Sequence, residues 1–317
     1  MEVQMKKHKL NLILLLSFLA ICLLISFLYE PVLSNWMTVR VPSLKSQEGI
    51  SFPPYSPNTV KPFGTDLVGF TLLSKLIQGF KYTFIIVFFL SLAQLTISFI
   101  ISSFTFKYQK KRWVGYVLTY LDKLLTLFPK PFLLLLLIIP IYFTTIFNTE
   151  PNPSSNQVLL IKQLIVLLLI SLPNLIQLFH NELIYLFQTD YAKASLVLGS
   201  TPRRMMLVAL RPQLTILSFA LFFKTVTQNL ALFVYLAYFN YFLGGTLLIE
   251  LDLGTQYYLP LSNEWSGIIG QNIQYLAVTP WTLLIPMAAY CLFIFIVSQI
   301  NQNLKSILTG VEANEII

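Results

Sequence analysis

The chain has 317 residues, of which 56% are apolar and only 11% charged, with a mean hydropathy of +0.72. Soluble domains carry roughly 25% charged residues, so the composition excludes an ordinary soluble domain and points to a polytopic membrane protein. The net charge of +8 reads as lysine and arginine gathered in cytoplasmic loops rather than as a nucleic-acid-binding surface. Cys22 and Cys291 both lie in apolar runs, which excludes a disulfide framework and a cysteine metal site.

The first apolar span runs from about Leu10 to Leu28, and Lys6, Lys7 and Lys9 hold its start in the cytoplasm. Leu19-Ala20-Ile21-Cys22 is faintly like a lipoprotein cleavage site. The bulky Ile21, and an apolar run that continues past Cys22, favour an uncleaved helix. Residues 29–79 follow as an external loop rich in proline, expected to be largely irregular, which also holds Arg40, Lys45, Lys61 and Lys75. Within it, Gly64-Thr65-Asp66 predicts a tight turn whose polar side chains cap the next helix. Leu72, Leu73, Leu76 and Ile77 give that helix an apolar face to lie on the membrane.

The second span, from about Phe80 to Phe106, ends in Lys107, Lys110, Lys111 and Arg112, four positive charges in six residues, which marks a cytoplasmic loop. The third helix is predicted from Trp113 to about Thr145, with its first turns, Asp122 and Lys123 at the inner interface. Pro129-Lys130-Pro131 is expected to kink it. Lys130 then sits at membrane depth, where it either lines a pathway or snorkels and pairs. A turn-rich external loop, 147–156, leads to a fourth span from about Leu159 to Ile184 with a kink at Pro173. His180-Asn181-Glu182 lacks the second histidine of a zinc-protease helix, so His180 is an interfacial hydrogen-bonding residue.

Thr189 to Pro212 reads as helix, break, helix. Asp190 caps the first helix and Gly199 ends it in the left-handed backbone that glycine tolerates. Thr201 and Pro202 restart a helix, and Pro212 marks entry to the fifth span, about Gln213 to Tyr241. A basic hairpin of this kind is either a docking device or an ordinary charged loop. In the fifth span Lys224, Gln228 and Tyr235 share one face, with Thr227 near it, a stripe that serves either a translocation pathway or contact between subunits. Segment 242–277 has no lysine or arginine but holds Glu250, Asp252 and Glu264, as an external segment should. Trp265 and Trp281 are expected at the membrane interface, and Pro286 loosens a sixth span that ends near Ile300 and leaves Lys305 in a cytoplasmic tail.

Three of these stretches resemble one family. Lys193-Ala194-Ser195, Gly199 and, thirteen residues later, Pro212 are similar to the "EAA" loop of ABC-importer permeases, with lysine where the broad family has glutamate. Asp190-Tyr191 and Arg203-Arg204 are similar to its dipeptide and oligopeptide branch. Pro62-Phe63-Gly64-Thr65-Asp66 through Gly69, then Ser74 and Gly79, resemble the external stretch of the C-type permease subunit, with Phe70-Thr71 in place of an Arg-Asp pair. Asn263-Glu264-Trp265-Ser266-Gly267 and Thr279-Pro280-Trp281 through Pro286 are similar to the run before its last helix.

The resemblance implies an all-α integral membrane permease with both termini inside, in the plasma membrane of a bacterial cell. The apolar spans and loops divide the chain into tail and first helix (1–28), external loop with interfacial helix (29–79), five-helix core (80–300) and tail (301–317), and the resemblance makes 189–212 a coupling hairpin within the core. It implies ATPase docking through Tyr191, Ala192, Lys193, Ala194, Ser195, Gly199, Arg203, Arg204 and Pro212. It further implies a second permease, two ATPase subunits that carry ATP and Mg, and an external substrate-binding protein. The chain has no phosphate-cradling Gly-x-x-x-x-Gly-Lys-Ser/Thr loop, so it is read as a transport subunit with no cofactor of its own and no nucleic-acid partner. Peptides are the expected cargo, with nickel or another metal chelate as the alternative. An intramembrane enzyme is the competing class and would need Asp122 and Asp190 to meet in one cavity.

Overall fold

The computed structural model describes the chain except residues 1, 36, 47–48, 109–111, 149–152, 202–203, 206–209, 252–254 and 316–317. It is mostly helical. Among the described residues, five helices are long and apolar enough to cross a membrane, and a shorter apolar helix accompanies them. The protein is a multi-pass membrane protein.

Helix α1 spans Glu2–Tyr29, and α2 spans Leu72–Lys107. The short helix expected on the membrane surface is instead the start of α2. Leu72 and Leu76 are buried in the protein, so the apolar face that suggested a membrane-lying turn packs inward. Gly79 does not end the helix; a Cβ there would collide with the Asn263 carbonyl, so the glycine serves a close approach. The two helices are antiparallel, with Ser26 Oγ donating to the Ile77 carbonyl and Lys81 Nζ 2.9 Å from Glu30.

The third predicted helix is two. α3, Arg112–Leu127, stops before Pro129, and α4 starts afresh at Lys130 and reaches Asn148. Pro129 and Pro131 lie two apart, and a residue before proline is pushed out of helical backbone, so the pair breaks the helix rather than bending it. At 1.5 Å per residue α4 alone is roughly 28 Å long, close to the apolar thickness of a bilayer. Helix α5, Pro153–Gln188, runs on through Pro173, and α6 covers Asp190–Val197. Helix α7 is Arg211–Tyr238 with Pro212 in its first turn, the entry point expected from the sequence. The last helix, α9, runs from Pro280 to Glu315 through Pro286, well past the predicted end.

In the main core cluster Val87 of α2, Leu134 of α4, Leu167 of α5, Val226 of α7 and Val297 of α9 are fully buried. A polar cross-link sits inside it. Asn229 on α7 donates to Ser91 Oγ (2.9 Å) and Gln94 Oε1 (2.8 Å) on α2, and Gln94 donates to the Leu167 carbonyl on α5. Such bonds join apolar helices where burial alone gives no preference over lipid.

His8 on α1 bonds Asn303 on α9 at 2.8 Å, which sets the two ends of the chain side by side. Ser102 and Thr105, near the end of α2, bond Ile176 and His180 near the end of α5, so His180 does make the hydrogen bond expected of it. The turn after α5 therefore lies at the same end of the bundle as the termini, here called the hairpin end.

The opposite end carries the two long loops, and neither is irregular throughout. Strands β1 (Leu44–Ser46) and β2 (Gly49–Ser51) form a small antiparallel pair. Bonds from Val41 to Gly69 and from Thr71 to Val39 close the loop back on itself. After α7, β3 (Thr246–Leu251) and β4 (Thr255–Pro260) form an antiparallel hairpin the sequence reading did not contain. Helix α8, Trp265–Asn272, follows and wedges between α2, α7 and α9. Its Gly270 lies against the Ala237 carbonyl so closely that no Cβ would fit.

Candidate functional site

The hairpin end is built on a helix stop that fits the sequence reading closely. Thr189, not Asp190, is the residue before α6; its hydroxyl donates to the Leu186 carbonyl and makes no cap bond. Asp190 occupies the first turn and pairs with Lys193 at 3.6 Å on the surface, where its charge suits the helix N-terminus. At the other end Gly199 has φ +87°. Its N–H donates to the Leu196 carbonyl while the Ser200 N–H donates to the Ser195 carbonyl, the paired bonds of a Schellman stop. A Cβ on Gly199 would meet nothing within 4 Å, so glycine is needed for its backbone and not for space.

The base of this unit is anchored. Ala192, Met205 and Leu210 are fully buried and pack with Phe106, Leu183 and Leu214, the ends of α2 and α5 and the start of α7. The tip is the reverse: Val197 and Leu198 are 87% and 86% exposed, a contiguous apolar knob the sequence reading missed. Its signal was present as two aliphatic residues just before a helix-stopping glycine. Tyr191, Lys193, Ala194 and Arg204 are exposed, Ser195 bonds Ser200, and Pro212 is exposed at the start of α7. Arg203 lies outside the described residues.

The structure divides the expected polar stripe from the core. Lys224, Gln228 and Tyr235 are all exposed on one face of α7 while Val226, Leu230 and Phe233 are buried on the other. Lys130, half-buried at the start of α4, lies within electrostatic reach of both Lys224 and Asp122. The fold thus brings together two lysines that sequence reading proposed separately. Asp122 accepts from Asn174 of α5, whereas the Asp190 side chain is fully exposed on α6. These settings are separate, and no dyad of the two is formed.

At the loop end the two remaining motifs meet. Thr65 and Asp66 do not cap α2; its first N–H, that of Leu72, is taken by the Gly64 carbonyl. Thr65 Oγ1 instead accepts from Tyr55 N–H, and Asp66 Oδ1 accepts from the N–H groups of Val68 and Phe70. Asp66 Oδ2 is 2.6 Å from Lys75 Nζ, with both side chains buried. The Arg40 guanidinium and the Lys75 ammonium both lie over the Phe70 ring, 5.3 and 5.4 Å from its centre. Gly64 and Gly69 are buried in tight turns whose neighbours are the Tyr55 and Val41 carbonyls.

Trp265 and Trp281, both half-buried, tie the two loops together. Trp265 Nε1 donates to the Leu76 carbonyl (2.8 Å) and Trp281 Nε1 to the Thr65 carbonyl (3.4 Å), pinning residues 263–281 onto residues 62–79. Gly267 packs against Pro260 and the Glu264 carboxyl. Glu264 is buried, its Oε2 accepting from Ser266 N–H and Oγ. Burial pushes its carboxyl up to about 7 against those bonds.

No family model matches the chain. The chain is similar to peptide-transport permeases. It is 29% identical over 134 residues to the peptide transport system permease protein SapC of Salmonella typhimurium, and equally to that of Salmonella typhi. The aligned part is 42% of this chain and 39% of each relative. The chain therefore spans about two-fifths of the length of the curated relatives it matches.

Proposed function

We propose that the chain is a permease subunit of an ATP-binding-cassette importer that carries peptides across a bacterial plasma membrane. Six spans are α1, α2, α4, α5, α7 and α9, with the hairpin end in the cytoplasm. The His8–Asn303 contact supports an even number of crossings, and the length of α4 supplies the sixth. The basic run Lys107–Arg112 at the hairpin end supports that sidedness.

The observation that carries the reading is the anchored turn of α6, with its buried base and its exposed Val197–Leu198 tip. A rigid lever rooted on three bundle helices, with an apolar end, suits a device that passes motion from ATPase subunits to the membrane helices. The docking face comprises Tyr191, Lys193, Ala194, Ser195 and Arg204 around that tip, with Ala192, Gly199 and Pro212 holding its shape; Arg203 is assigned to it from the sequence alone. ATP and Mg belong to the two ATPases. The exposed stripe of α7 faces a second, related permease or the path between them, and the loop end receives an external binding protein.

Purification from native membranes in mild detergent, followed by mass spectrometry, tests the assembly: recovery of P-loop ATPases and a second permease is expected. Recovery of the chain alone would remove the reading, and ATPase stimulation by nickel chelate instead of peptides would replace the cargo. Gly199→Val should abolish peptide uptake with the chain still in the membrane, because a β-branched residue resists positive φ; unchanged uptake would count against the lever. Val197→Asp with Leu198→Asp should release the ATPases during purification.

The Lys130 and Lys224 pair provides positive charge where a peptide carboxylate would pass. Lys130→Met and Lys224→Met should each lower uptake while the complex still assembles. Normal uptake in both would dispose of that role.

A further inference from the structure

A cavity of about 530 Å³ opens between the hairpin-end halves of α2 and α7. It lies on the opposite side of α7 from Lys224, Gln228 and Tyr235, so it belongs neither to the polar stripe nor to α6. Its walls are apolar, with Leu95 and Phe99 from α2 and Phe219 and Phe222 from α7. The polar groups gather at one end. Arg211 stands at the rim, at the first residue of α7, with Thr215 and Ser218 just inside. The Thr215 hydroxyl is turned back to the Arg211 carbonyl, so the guanidinium is the group that can meet an anion.

We infer that this cavity holds an anionic phospholipid of the hairpin-side leaflet, with its phosphate on Arg211 and an acyl chain along α2 and α7. Depth is the first reason. From Arg211 to Phe222 the helix rises by roughly 16 Å at 1.5 Å per residue, and one leaflet of hydrocarbon is about 15 Å thick. The cation therefore sits at the headgroup level while the apolar walls run to mid-bilayer. Access is the second, because Leu92 and Phe219 at the cavity are 49% and 44% exposed on helices that cross the membrane. Charge is the third. Water would find few partners between those walls, and a cationic rim on an apolar slot matches a negative head on an apolar tail.

The test is photolabelling of the purified complex, reconstituted with a phosphatidylglycerol or a phosphatidylcholine that carries a diazirine in its acyl chain. Adducts are mapped by mass spectrometry. The expected result is severalfold more phosphatidylglycerol than phosphatidylcholine adduct on the peptides holding Phe99, Phe219 and Phe222. Arg211→Gln should remove that preference, and Ser218→Phe should remove the cavity adducts altogether. Labelling of Phe104, 62% exposed on α2, should stay the same in every sample and reports that the chain is folded in the membrane. Equal labelling by the two lipids would overturn the headgroup assignment. Labelled Phe104 with an unlabelled cavity would mean that protein, not lipid, covers it. Both outcomes leave the ATPase and permease partners as found by purification, so they bear on this inference alone.

Discussion

Replacing Lys75 by methionine is expected to destabilise the loop end by about 3–5 kcal/mol, the usual cost of leaving one member of a buried ion pair behind. Asp66 and Lys75 are 0% and 4% exposed, and the same carboxylate holds the Val68 and Phe70 N–H groups. Loss of its counter-charge leaves a buried carboxylate with those two bonds only. The Phe70 ring also loses one of its two cations. The effect should be local, because the loop is tied to the bundle through α2 and through the Trp281 bond to Thr65. Trypsin should therefore cut at Arg40 and Lys61 much faster in the variant, with the membrane helices still protected. Adding Asp66→Asn should restore part of the protection, since no uncompensated charge then remains. If the single variant is as resistant as the parent chain, the pair is not what holds the loop.

Raising the pH from 5 to 8 is expected to weaken the packing of α8, and Glu264 is the cause. Its carboxyl is buried at the start of that helix and titrates at about 7 rather than near the ordinary carboxylate value of 4.5. Between those values the folded chain keeps a proton that the unfolded chain has lost, so folding stability falls as pH rises through the interval. The contribution is fully present below about 4.5, is lost by about 7, and amounts to on the order of 3 kcal/mol. Above 7 the ionised group stays buried, and the dependence flattens. Glu264→Gln keeps the shape and removes the titration. Thermal unfolding of the purified chain should lose its slope between pH 5 and 7 in that variant, while a slope equal to the parent's would assign it to another group.

Much of this was readable from residue types whose effect is local. Composition alone determined a multi-pass helical protein, because no water-soluble core accommodates so few charges. Gly199 determined where α6 stops, since positive φ is a property of one residue's sterics, and Pro212 marked the start of α7 for the same kind of reason. The exposed face of Lys224, Gln228 and Tyr235 followed from helical periodicity.

What the sequence left open, or led astray, depended on distant partners. Leu72 and Leu76 look the same whether they face lipid or protein, and only the arrival of residues 263–265 against α2 decided for protein. Thr65 and Asp66 were plausible caps, yet their bonds go to Tyr55, Val68, Phe70 and Lys75. The two tryptophans are legible by type, but which carbonyl each indole N–H meets is decided by the fold. The electrostatic reach between Lys130 and Lys224, and the slot behind Arg211, come from helices far apart in the chain. Local sterics are written residue by residue, whereas contacts between helices exist only once the bundle has closed.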